Sequence, residues 1–126
     1  MNITFAALSE VANNDPEFRI AARFWNVNLR LEMGERSVLI CIEHGHMTKV
    51  IANDPPFSLL SPANLVVSAS TTEWQKFFAP IPKPFYVDLW GATTHHGFTV
   101  AGDMDSFYAY YPALRRLFDI MRGLAN

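Results

Sequence analysis

The sequence predicts a two-layer α+β domain with five strands in one sheet and the helices on one of its faces. Three patterns carry that expectation. Two short helical patterns come before any strand. From Trp25 the apolar spacing changes to every second residue and stays there through two tight turns. The last twenty residues then return to helical spacing with rings crowded on one side. Strands that are apolar on one face only need helices on that face, and can present the other to water.

Ile3, Phe5, Leu8 and Val11 recur at three- and four-residue steps, which predicts a helix over residues 2–12. Asp15 is an N-cap and Pro16 suits a first helical position, so a second helix follows, with Phe18, Ala21 and Ala22 on its apolar side up to about Phe24. In WNVNLRLEM, Trp25, Val27, Leu29, Leu31 and Met33 are the buried face; Asn26, Asn28, Arg30 and Glu32 are the wet one. Gly34 turns the chain into SVLICIE, with Val38, Ile40 and Ile42 on one face. His44-Gly45 turns it again into HMTKVIA, completing an antiparallel meander.

Pro55, Pro56 and Pro62 remove ladder donors from NDPPFSLLSP, which reads as a crossover loop carrying Phe57, Leu59 and Leu60. LVVSAS is a strand, and Ser70 with Glu73 has capping-box spacing at the start of TTEWQKFF, a helix that aligns Trp74, Phe77 and Phe78. PIPKP ends it. FYVDLW is expected to form a turn or two with Phe85, Leu89, Tyr86 and Trp90 inward. Phe98 and Val100 alternate in a fifth strand, Gly102-Asp103 ends it, and Asp103 or Asp105 caps the next helix. Phe107, Tyr110 or Tyr111, Leu114, Leu117 or Phe118, Met121 and Leu124 form its stripe, opposed by Arg115, Arg116, Asp119 and Arg122. Pro112 either starts a new helix or kinks one, and Gly123 is the expected C-cap.

At 126 residues, one domain over 1–126 is expected, burying roughly two thirds of its unfolded surface. A net charge of −2, without a basic face, argues against a nucleic-acid partner. A single cysteine, Cys41, fits a reducing, cytoplasmic setting, and neither a signal peptide nor a spanning helix is expected. Ten Phe, four Tyr and three Trp are more ring surface than a small core commonly requires, the first sign of a pocket or an interface.

The element order, with SASTTEW at 68–74 and GFTVAGD at 97–103 before an amphipathic terminal helix, resembles the sterol carrier protein 2-like family. The resemblance implies a five-stranded mixed, mostly antiparallel sheet enclosing an apolar tunnel for a sterol, fatty acid or acyl chain, with the terminal helix as part of its wall. The chain ends in Leu124-Ala125-Asn126, so the S-K-L address of peroxisomal members does not carry over. The expected ligand wall is Trp74, Phe77 and Phe78, then Phe85, Leu89 and Trp90, then Phe107, Tyr110, Tyr111, Leu114 and Phe118. These rings could equally fill the space themselves.

Other chemistry has weaker support. His44, His46, His95 and His96 are the only residues with metal-ligand character in a cluster, but they lie at turn positions without zinc-site spacing, so no metal or other cofactor is expected. Cys41 between two isoleucines reads as inert, Asp103 and Asp105 as caps. No catalytic signature appears, so the ligand is expected to leave unchanged. Arg115, Arg116 and Arg122 read as a solvated face, with at most transient contact to anionic membrane lipid. The alternative to a carrier is an interaction module of the same fold, dimerising through a sheet face around Leu39 and Val66, and behind both stands a metal hydrolase using His44, His46 and His95 or His96.

Overall fold

The alternating run after Trp25 forms the centre of the sheet. In the computed structural model, which describes residues 3–52 and 63–126, β1 (Val27–Met33), β2 (Arg36–Glu43) and β3 (His46–Ala52) make the meander. β4 (Leu65–Ala69) lies parallel to β1 on its other side, and β5 (Thr99–Gly102) pairs antiparallel with β4. The order β3-β2-β1-β4-β5 is thus a mixed, mostly antiparallel sheet, as expected. The expected crossover with Phe57, Leu59 and Leu60 lies outside the described residues.

Turn chemistry sets the register. His44 and Gly45 both have positive φ, 50° and 76°, the pair that a two-residue primed turn requires. At Gly45 a side chain has no room as well, because a Cβ would run into the backbone of Ala22 and Arg23. A bulge between Cys41 and Ile42 brings Met47 opposite Ile42, and the carboxamide of Asn13 then bonds both backbone groups of Met47, at 2.8 and 2.9 Å.

Val27, Leu29, Leu31 and Met33 face inward with Val38, Ile40 and Ile42 of β2 and Leu65 and Val67 of β4. Helices cover this face. α1 (Phe5–Asn13) buries Leu8 and Ala12, one turn apart, while Val11 is exposed, contrary to the expected stripe: α1 packs on β3 along a narrower line. α2 (Pro16–Ala22) ends before Phe24, which is exposed because the chain reverses there to send Trp25 inward.

The outer face corrects the sequence reading. Arg30, expected in water, is 2% exposed, and Leu39 beside it is also 2% exposed. β1 is flanked on both sides, so the long stem of Arg30 lies between Leu39 and Val66. With Leu39 buried within its own chain, the sheet face expected to serve dimerisation is not an open apolar surface.

After β4 come α3 (Thr71–Phe77), capped by Ser70, and α4 (Leu89–His95), capped by Asp88. α5 (Met104–Ala109) is capped by Asp103, and α6 (Tyr111–Ala125) carries Pro112 in its first turn, so the proline belongs to a helix start and not to a kink. Gly123 lies inside α6 instead of capping it; the C-cap is Asn126.

α6 is tied back to α2 through Asp15. Its carboxylate caps Phe18 N at 2.8 Å and accepts two bonds from Arg116, at 2.9 and 2.7 Å. The Arg116 guanidinium holds this carboxyl below its ordinary value of 3.8, against the opposing effect of burial. A lowered folded pKa gives stability that is complete above the ordinary value and is lost as pH falls through the folded one. Wild type is therefore expected to lose more stability than Asp15→Asn between about pH 5 and pH 2.5. Urea midpoints across that range check it; equal losses in both proteins would refute it.

Candidate functional site

The expected ligand wall divides into two parts, and a third region lies outside it. The first part is a closed cluster of rings. Trp74 is fully buried; it stacks on Phe78 at 5.5 Å and meets Phe77, Phe98 and Phe118 edge-on or near edge-on at 4.9–5.8 Å. Phe77 in turn meets Phe78 and Phe118. The indole N–H donates to Glu32 O at 2.8 Å, fixing the ring against β1. Phe98 is at the middle of this group although the sequence marks it only as a strand residue; its phase with Val100, facing the helices, is the available signal.

The second part is half open. Phe107 and Leu114 are buried, but Trp90 is 54% exposed and Phe85 is 50% exposed, where both were expected to point inward. The reason is a later helix start. Asp88 accepts from Gly91 N at 3.0 Å, so α4 begins at Leu89, and Phe85 precedes it in a left-handed conformation, φ 67°, stacked on His95 at 3.7 Å. Leu89 and Tyr86 do face inward. Trp90 lies among Phe107, Tyr108 and Tyr111, and its backbone N–H donates to the Tyr111 hydroxyl at 3.1 Å. Tyr110 is elsewhere: it stacks on Trp25 at 5.4 Å, whose indole bonds Ser106 Oγ at 2.8 Å.

The third region is a cavity that the expected wall does not include. It has a volume of about 300 Å³ and opens where the β1–β2 hairpin meets α3 and the start of α1. Ile3, Phe5, Met33 and Val38 supply apolar lining, and Thr4, Arg36, Thr71 and Gln75 the polar lining. Thr71 and Gln75 are one turn apart on α3. Met33 and Val38 belong to the inner face of the sheet and are buried, so the cavity lies between that face and the ends of α1 and α3. The sequence carries one signal for it: Arg36 shares the phase of Val38, Ile40 and Ile42, which puts a guanidinium on the apolar side.

The electrostatics do not assemble a catalytic pair. The Tyr86 hydroxyl donates to Glu73 Oε2 at 2.6 Å; burial first, then this carboxylate, pushes the phenol up to about 12. The same bond holds Glu73 below its usual value. Tyr86 is thus a fixed donor that ties its segment to α3, with the His96 ring stacked on it at 3.6 Å. Arg122, expected in water, donates instead to Phe77 O at 2.7 Å and Tyr86 O at 3.2 Å, joining the last carbonyl of α3 to one in the segment before α4. Among the described residues no three His, Cys, Asp or Glu side chains come together as metal ligands, and no helix is long and apolar enough to cross a membrane.

No protein-family model matches the chain and no curated protein matches it in sequence. Solved structures do match. Sterol carrier protein 2 is similar over 96% of this chain and 95% of its own, with a TM-score of 0.77 and 18% identity. A protein from Thermus thermophilus, described as possibly a sterol carrier protein, covers 98% of this chain and 90% of its own, at 0.74 and 20%. UbiJ-SCP2, a ubiquinone synthesis protein, covers 92% and 88%, at 0.58 and 17%. At such identities the likeness is one of architecture: this chain has the sterol carrier protein 2 fold.

Proposed function

We propose that this chain is a carrier or binding domain for an apolar, lipid-type small molecule, which it holds and releases without chemical change. The observation that carries the reading is the cavity of about 300 Å³ on the inner face of the sheet, floored by Met33 and Val38. That volume is at the lower end of the range of small-molecule pockets. An apolar guest needs no special residue there, because each methylene removed from water contributes about 0.8 kcal/mol. The shared architecture with sterol carrier protein 2 supports the same reading. Sterols, fatty acids and acyl chains are the candidate guests, and transient contact with a membrane would serve their exchange.

A second reading draws on the ring cluster. Trp74, Phe77, Phe78 and Phe118 meet one another as a core does, which favours an interaction module whose apolar interior is self-filled.

One experiment separates the two. Protein purified without detergent and measured by native mass spectrometry is expected to carry an apolar adduct, or to take up one equivalent of an uncharged apolar fluorophore such as Nile red. Trp74, on α3 beside Thr71 and Gln75, is expected to transfer energy to the bound dye. Adduct-free protein that binds no dye up to its solubility limit, with a mass that rises with concentration, would replace the carrier by the module.

A further inference from the structure

Trp90 differs from the other two tryptophans. Trp25 and Trp74 are buried, whereas Trp90 stands on the outer side of α4 with more than half of its surface in water. Tyr108 of α5, 59% exposed, meets it edge-on at 6.0 Å, and Phe85 and Val87, in the segment before α4, are half exposed. The backbone is arranged to keep Phe85 there. Its φ of 67° lies in the left-handed region, a costly conformation for an aromatic residue. Gly91 makes room for it, since a Cβ at Gly91 would lie 3.1 Å from Phe85 Cα. The ring lies on His95 at 3.7 Å instead of turning into the core. Strain kept in order to present an apolar ring to water points to something outside the chain that the ring meets.

We propose that this face, formed by Phe85, Val87, Trp90 and Tyr108, seats the domain on the interfacial layer of a zwitterionic lipid bilayer. This rests on the carrier reading in one respect, that a carrier of apolar cargo has a membrane to visit, and it names the surface that makes the visit.

Size, ring chemistry and charge select that occupant. The four side chains, each about half exposed, together present roughly 400 Å². Each partner in a stable protein interface buries about 800 Å², so a second copy or another protein finds too little here, whereas a bilayer takes each ring separately. Trp and Tyr are the side chains that settle at headgroup level, with the apolar body toward the acyl chains and the polar end in the wet layer. The rim is close to neutral. Asp88 and Arg115 both act on Tyr111, whose ring is 5.7 Å from that of Trp90, while Lys83 precedes Phe85 and Asp105 lies in the first turn of α5 before Tyr108. Two charges of each sign do not select anionic lipid. The other arginines of α6 are occupied: Arg116 is paired with Asp15 and Glu17, and Arg122 with Asp119 and two backbone carbonyls.

Because Trp25 and Trp74 are buried, Trp90 reports on this face by fluorescence. Phosphatidylcholine vesicles brominated near the top of the acyl chain are expected to quench wild-type emission, and to leave the emission of Trp90→Phe unchanged. In vesicle sedimentation, Trp90→Ser is expected to lower partitioning roughly tenfold or more, with an unaltered circular dichroism spectrum. Raising the salt from about 50 to 500 mM should change wild-type partitioning less than twofold. Binding that requires phosphatidylglycerol, vanishes at high salt and ignores Trp90→Ser would overturn the proposal in favour of a basic surface. No binding to phosphatidylcholine, together with a dimer that Trp90→Ser dissolves, would overturn it in favour of a second copy. Trp90 is outside the cavity lining, so Nile red uptake without vesicles should be the same in Trp90→Ser and wild type. Uptake of the dye without vesicle binding would remove the docking face alone; absence of both would remove the carrier reading with it.

Discussion

Trp74→Ala is expected to lower the unfolding free energy by about 3–5 kcal/mol, the range for removing a large aromatic from a filled core. A domain of this size has only about 5–15 kcal/mol in all, so the variant should be barely folded at room temperature. Two losses combine. The ring is fully buried and its neighbours Phe77, Phe78, Phe98 and Phe118 sit on elements held by other contacts, so they cannot close fully over the void. The carbonyl of Glu32 also loses the indole donor. Trp74→Phe separates these effects: it keeps most of the volume and is expected to cost about 1–3 kcal/mol, the penalty of the lost hydrogen bond plus a small gap. Urea unfolding followed by far-ultraviolet circular dichroism measures both. A cost below about 1 kcal/mol for the alanine variant would mean that the rings are loosely packed and that this region, not the hairpin end, has room for a guest.

That distinction is not legible in the sequence, and the reason is physical. Periodicity reports which side of an element is apolar, and it does so well: the meander, the Ser70, Asp15 and Asp103 caps, and the mixed sheet implied by resemblance all stand in the structure. It does not report whether two apolar sides meet. Trp74 and Phe118 share a predicted wall whether they touch or line a tunnel, and only the ring geometry shows contact. Nor does it fix where a short helix begins. Asp88 caps α4, so Phe85 and Trp90 do not hold the inward positions that the spacing assigns to them. Long polar side chains fail for a different reason: Arg30 and Arg122 hide their stems and guanidinium groups in places that a hydrophobicity pattern marks as wet. The cavity leaves little trace because its lining among the described residues comes from three separate segments, in which only Arg36 breaks a pattern.

Val38→Phe is expected to abolish ligand binding, by about fiftyfold or more, while changing stability by no more than about 1 kcal/mol, because space that a guest occupies is space that a side chain can occupy instead. Val38 is part of the cavity floor, and its inward phase directs about four additional carbons into open volume, where overpacking strain does not arise. Leu114→Phe, which adds about three carbons to a residue buried within the core, should cost about 1–3 kcal/mol with no specific effect on a guest at the hairpin end. The two variants thus measure opposite properties of two apolar regions: one that tolerates no added atoms and one that accepts them. Nile red titration beside thermal unfolding reads both at once. If Val38→Phe keeps wild-type affinity, the guest is not on the floor formed by Met33 and Val38, and the ring cluster must open to admit it. Trp74→Ala would then raise affinity for long chains even as it weakens the fold, an outcome that the closed packing of these rings opposes.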